Sequence, residues 1–209
     1  MGGAKAVVAA VVLAIAGGTG YWLFAEKQRK EQERLVAGLL GDTTRQLRQA
    51  LNGTPAPDVV SKIDGNLQLA KAPRNPELAL AAEHYIHGAR EIARRRIDAE
   101  RLAREAAMSR RALAMHMSAA ASRDTYWIRV ASDLKRRVER EHFDLDVSLK
   151  SLSRLLHTLP ETQKQLAPHV DASLLLADAE RLKARERAEH DAKRAADELE
   201  KVRRLALPK

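Results

Sequence analysis

The chain contains no cysteine. Disulfides, thiolate metal sites and a cysteine nucleophile are therefore excluded. Aromatic residues are scarce: two Trp, three Tyr and two Phe among 209 residues. Tyr21, Trp22 and Phe24 fall in one N-terminal stretch, which leaves Tyr85, Tyr126, Trp127 and Phe143 for everything after it. A core with so few rings must be built from Ala, Leu, Val and Ile, and suits narrow seams between helices. Glycine stops early, since all ten lie at or before Gly88. Neither Gly nor Pro occurs from Ala89 to Leu159, nor from His169 to Leu207. Long runs free of both punctuators signal helix. No Gly-rich phosphate loop, G-x-S-x-G or H-E-x-x-H is present, and tight catalytic loops are hard to build without glycine. The expectation is a protein that is not an enzyme and uses no cofactor.

One long apolar run does occur. Ala6 to Ala25 reads AVVAAVVLAIAGGTGYWLFA and carries no charge. About twenty such residues cross a bilayer as a helix. Ala14-Ile15-Ala16 fits a signal-peptide cleavage site. Cleavage there would strand Tyr21, Trp22 and Phe24 at a new terminus, whereas retention places Tyr21 and Trp22 at the headgroup level, followed by Lys27, Arg29 and Lys30. The reading adopted is an uncleaved anchor. Ala6, Ala10, Ala14 and Gly18 recur every four residues, a spacing that lets helix backbones approach in lipid. Lys5 on one side against Lys27, Arg29, Lys30 and Arg34 on the other favours a cytoplasmic C-terminal domain over a periplasmic one. The Ala- and Arg-rich composition points to a bacterial chain, and so to an inner membrane.

The expected fold is all-α: a single N-terminal transmembrane helix, then an elongated helical hairpin of coiled-coil type. Residues 1–5 form a tail, 6–25 the anchor and 26–51 a juxtamembrane helix. Residues 52–75 make a linker with a short helix from Asp58 to Ala72, and Asn75-Pro76 opens the next helix as cap and first residue. Residues 76–159 form the hairpin. Leu78, Tyr85, Ile92, Ala99, Ala106, Leu113 and Ala120 are spaced by seven, a heptad seam. Ala82, Ala89, Ala103 and Met117 fill the row four residues on, interrupted by Arg96 and Arg110. A turn is expected at Ser122-Arg123-Asp124, with Ser122 or Asp124 as cap. The second arm carries Val138, Leu145, Leu149, Leu152 and Leu156 on its seam. In 160–209, Pro160 is expected to open a short helix and Asp171 to cap a final one from Ala172. That last helix, marked by Ala192, Ala195, Ala196, Leu199 and Val202, reads either as a solvated single helix or as a weak coiled coil.

Candidate chemistry is thin. His84 and His87 share a helical face with Glu83 and Glu91, a spacing that two-histidine metal sites use. Two partly exposed histidines on a charged helix, with no metal, are the preferred reading. Glu139 and His142 form one Glu-x-x-His, where di-iron bundles use two. Met108, Met115, His116 and Met117 are soft ligands, but the methionines are read as core filling. Arg94, Arg95 and Arg96, with Arg90, Arg101, Arg104, Arg110 and Arg111, make a basic stretch interleaved with carboxylates. The net charge is +9 with 31% charged residues. Mixed signs without stacking aromatics argue for a salt-bridged surface and against nucleic acid.

The expected function is a membrane-anchored helical scaffold, tether or assembly protein. It would act on a protein partner, or on a second copy of itself, through helix–helix contacts. Two other plans stay open. The general layout of anchor and helical rod resembles that of phage spanins, which implies a periplasmic, envelope-bridging protein. A helical sensor bundle using His84 and His87 is the third.

Overall fold

A computed structural model describes residues 3–56, 58–70, 75–120 and 124–206, with side chains from residue 24 onward. Among them the chain is all-helical. Five α-helices follow in order: α1 (Gly3–Asn52), α2 (Val59–Ala70), α3 (Pro76–Ala120), α4 (Thr125–Leu166) and α5 (Asp178–Arg204), with a 3-10 turn at Ala172–Leu174. No described helix is long and apolar enough to cross a membrane. Most of Ala6–Ala25 lies outside the residues whose side chains are described, as do the stripe Ala6, Ala10, Ala14 and Gly18 and the rings of Tyr21 and Trp22.

The helix starts follow from local chemistry. Asn75 Oδ1 accepts from the backbone N–H groups of Glu77 (3.2 Å) and Leu78 (3.3 Å), with Pro76 as first helical residue. Asp124 Oδ1 accepts from Tyr126 N at 2.8 Å and caps α4. Each satisfies N–H groups that a helix start leaves unpaired. Asp178 and Glu180 in the first turn of α5, and Lys201, Arg203 and Arg204 in its last, match the helix dipole. Lys135 Nζ, reaching across from α4, donates to the carbonyls of Arg203 (3.0 Å) and Leu205 (2.7 Å) at the end of α5.

Helices α3 and α4 lie antiparallel. A Cβ at Gly88 would meet Leu159 at 3.4 Å, and far along the pair Leu113 packs with Val138. Helix α5 runs back along α4: Arg181 reaches the carbonyl of Leu156, Ser153 donates to Glu189, and Lys135 reaches Arg203. Of the two readings open for the last helix, neither a lone solvated helix nor a coil with an outside partner describes α5. It buries Ala184, Ala188, Ala192, Ala195, Leu199 and Val202 within the chain. Every hairpin seam residue named above is buried: Leu78, Tyr85, Ile92, Leu113, Val138, Leu145, Leu149, Leu152 and Leu156.

At one end α1 and α2 pack on α3. Val36, Leu40, Leu47, Ala50 and Leu51 of α1 join Val59, Ile63 and Ala70 of α2 in a core with the first turns of α3, the last of α4 and the start of α5. A polar knot ties this end. Leu176 N–H donates to the Tyr85 hydroxyl at 3.0 Å, and the Thr44 hydroxyl donates to the Leu174 carbonyl at 2.7 Å. Thr44 has one proton and spends it there, so Tyr85 donates to Thr44 Oγ1 across 2.7 Å. Asn66 Nδ2 on α2 donates to Asp42 (3.0 Å) and Thr43 (3.1 Å) on α1. The Asn66 bond, then the Arg45 pair, holds the Asp42 carboxyl below its ordinary range, against the opposing effect of burial.

Three expectations are corrected. Pro160 does not open a new helix; α4 runs through it to Leu166. Proline removes the N–H that would bond the Leu156 carbonyl, and the guanidinium of buried Arg181 supplies the missing donor at 3.2 Å. Asp171 caps only the 3-10 turn, accepting from Ser173 N at 2.8 Å, and α5 starts later, at Asp178. The methionines Met108 and Met115 are not core: they are 63% and 74% exposed. They sit on the side of α3 away from the seam of Ala106, Leu113 and Ala120.

Candidate functional site

Helices α3 and α5 both lie along α4 but are held apart from each other. The gap between them is an open furrow with α4 as its floor. Its central chamber has a volume of about 580 Å³. A smaller space of about 170 Å³ adjoins it at the α1 end, sharing Arg96, Glu100, Leu149 and Asp191. Another of about 290 Å³ continues it toward the far end, sharing Arg110, Ala114 and Glu198. On α3 the furrow runs from Arg96 to Met117, roughly 30 Å at the helical rise.

The sequence explains why the furrow opens where it does. The α3 row four residues beyond the seam is Ala82, Ala89, Arg96, Ala103, Arg110 and Met117. Ala82 and Ala89 are fully buried in the core that α1 and α2 complete. From Arg96 onward the same row lines the furrow. Helix α1 ends at Asn52, and Leu51 to Thr54 form the lower end of the furrow with Ala184 and Ala188. Thr44 lies level with Tyr85 and Leu51 level with the start of the furrow, so α1 runs parallel to α3. Its track continues as the furrow.

The walls are small and apolar. Ala103, Ala107 and Ala114 stand exposed on α3, opposite Ala195 on α5, above Leu145 and Leu149 on α4. The rim is charged. Arg110 pairs across the furrow with Glu198, which also accepts from Lys201 at 2.8 Å. The Lys201 bond, then Arg110, holds the Glu198 carboxyl below its ordinary range against the opposing effect of burial. Arg96 lies 4.0 Å from Glu100.

His142 is the one unusual group on the floor. It is 7% exposed and lines the central chamber. Neither ring nitrogen has a hydrogen-bond partner among the described residues. Burial lowers its pKa from 6.5, with the Arg110 charge acting in the same direction and Glu198 and Glu141 opposing. Burial therefore disfavours the charged ring, and both ring nitrogens are closed off from solvent.

The other candidates are placed as follows. His84 is exposed and lies 3.4 Å from Gln165 on α4; His87 is exposed nearby. No group of three or more metal-binding side chains occurs among the described residues. Glu139 of the Glu-x-x-His sits 4.0 Å from Lys135, away from any ligand set. His116 stacks on Trp127 at 5.4 Å and Met117 lines the far end of the furrow. Within the basic stretch, Arg90 pairs with Asp64 and Glu91, and Arg101 with Glu105 and Asp98. After the expected anchor, Arg29 and Lys30 both pair with Glu26 and Lys27 is exposed. Sequence reading missed the unpartnered burial of His142, which it weighed only as a metal ligand. The signal was a histidine set between the seam positions Val138 and Leu145, where an apolar residue is expected.

No family model matches the chain, and neither a curated protein nor a solved structure matches it.

Proposed function

We propose that this chain is a single-pass membrane protein, anchored by Ala6–Ala25, whose helical arm is a scaffold that works through helix–helix contacts on the cytoplasmic side. The observation that carries the reading is the furrow. A groove about 30 Å long with alanine walls, set between two long helices, suits an elongated helical partner better than it suits a reaction centre. The length and apolarity of Ala6–Ala25 support the anchor. Lys27, Arg29, Lys30 and Arg34 support the cytoplasmic side.

The test has two parts. Alkaline carbonate extraction of cells expressing the full chain should leave it in the membrane pellet, while the chain from residue 26 should move to the supernatant. A reporter fused after Lys209 should be active only as a cytoplasmic fusion. Full-length protein in the carbonate supernatant would remove the anchor. A periplasmic reporter signal would move the arm to the other face and favour the envelope-bridging plan.

A further inference from the structure

We infer that the furrow receives an acidic amphipathic helix from a partner protein. The inference rests on the scaffold reading and names the partner of that same surface.

Shape comes first. At the α1 end a fourth helix already packs beside α3, using Val36, Leu40, Thr43, Leu47 and Ala50, all fully buried and spaced by three and four. Beyond Thr54 the same track runs on for about twenty residues of helix, crossed by the Arg110–Glu198 pair. Exposed Ala103, Ala107 and Ala114 leave depth for side chains of leucine size on whatever enters, the knobs-into-holes arrangement of packed helices.

Charge selects the occupant. Six cations line the furrow: Arg96, Arg110, Arg111, Arg187, Arg194 and Lys201. Three carboxylates accompany them: Glu100, Asp191 and Glu198. Arg96, Arg110 and Lys201 pair with Glu100 or Glu198. Arg111, Arg187 and Arg194 are exposed and make no ion pair among the described residues. An entering helix with Glu or Asp beside its apolar stripe would meet these three guanidiniums. A second copy of this chain, at net +9, would bring like charge to the same rim.

Position argues against lipid as the occupant. From Ala25, at the end of the anchor, to Asn52, at the foot of the furrow, α1 climbs roughly 40 Å. Headgroups do not reach that height.

The experiment uses the full chain in detergent micelles and two fluorescent peptides with the same Leu/Ala stripe, one flanked by Glu and one by Lys. Anisotropy should show the Glu peptide binding at least about tenfold more tightly than the Lys peptide, with the difference shrinking at high salt. Arg111→Glu with Arg194→Glu, both exposed changes that leave the helical signal at 222 nm intact, should invert the preference. Ala107→Trp should block both peptides. Equal binding of the two peptides, binding of neither, or no response to the charge reversal overturns the proposal. So does self-association that Ala107→Trp abolishes, which assigns the furrow to a second copy. Binding of anionic vesicles that Arg111→Glu with Arg194→Glu abolishes would overturn it in favour of lipid. Carbonate extraction reads the anchor separately, so failure of peptide binding and failure of the membrane reading are distinct results.

Discussion

Arg181 and Pro160 should be energetically coupled although they lie on different helices. Pro160 sits within α4 and has no N–H for the carbonyl of Leu156. The Nη1 of Arg181, on α5, donates to that carbonyl at 3.2 Å, and Arg181 is 9% exposed. Arg181→Met keeps an apolar stem in place but strands the carbonyl, which costs about 1–3 kcal/mol. The lost ion pair with Asp178 adds little, because that carboxylate is 77% exposed and exposed pairs contribute under about 1 kcal/mol. Pro160→Ala restores a backbone N–H to bond Leu156. In that background Arg181→Met should cost about 1 kcal/mol less than in the parent chain, the net worth of one hydrogen bond. Urea unfolding of the four proteins in micelles, followed at 222 nm, measures the coupling. Additivity within about 0.5 kcal/mol would refute the substitution of a guanidinium for a backbone donor.

Three further outcomes follow from the geometry. Tyr85→Phe removes the acceptor of Leu176 N–H and the donor to Thr44, so it should destabilise by about 1–3 kcal/mol and speed hydrogen exchange at the Leu176 amide; unchanged exchange would contradict the knot. Gly65 lies in α2 with nothing within 4 Å of a Cβ built on it, so Gly65→Ala should stabilise by about 0.5–1 kcal/mol in the same urea assay, and a loss of stability would show a contact there. Burial lowers the His142 pKa below 6.5, so below that pH the unfolded chain binds the extra proton first and stability falls with pH. Replacing His142 by Leu should flatten that part of the pH–stability curve, and an unaltered slope would place the titration elsewhere.

Much of this fold is written in the sequence. Leu78, Tyr85, Ile92 and Leu113 announce the α3 seam by their spacing, and Asn75-Pro76 marks its start by the chemistry of helix caps. What lies beyond depends on pairs of residues far apart in the chain. Pro160 reads as a helix boundary because proline lacks a donor, and nothing near it in sequence says that Arg181 supplies one. Met108 and Met115 read as core by composition, yet their angular position on α3 turns them outward. The alanines of α5 are compatible with several partners, and only packing selects α4. Arg96 and Arg110 look like flaws in the heptad row. They lie where α1 has ended and α5 stands off, so the row lines a gap that the Arg110–Glu198 pair spans. His142 was visible as a polar residue near a seam, but its unpaired nitrogens depend on what α3 and α5 place around it.

The furrow's width in solution tests the account most directly. The chain has no cysteine of its own, so Met108→Cys on α3 and Lys193→Cys on α5, both exposed and outside the furrow lining, give a single pair of spin labels across the gap. Electron–electron distance measurements on the full chain in micelles should give one separation, wider than that of the same labels placed at exposed positions across the directly packed α3–α4 pair. The acidic peptide should keep that separation and narrow its spread. A separation as short as that of a directly packed helix pair, in the free chain, would mean that α3 and α5 close on each other and that no furrow exists for a partner to enter.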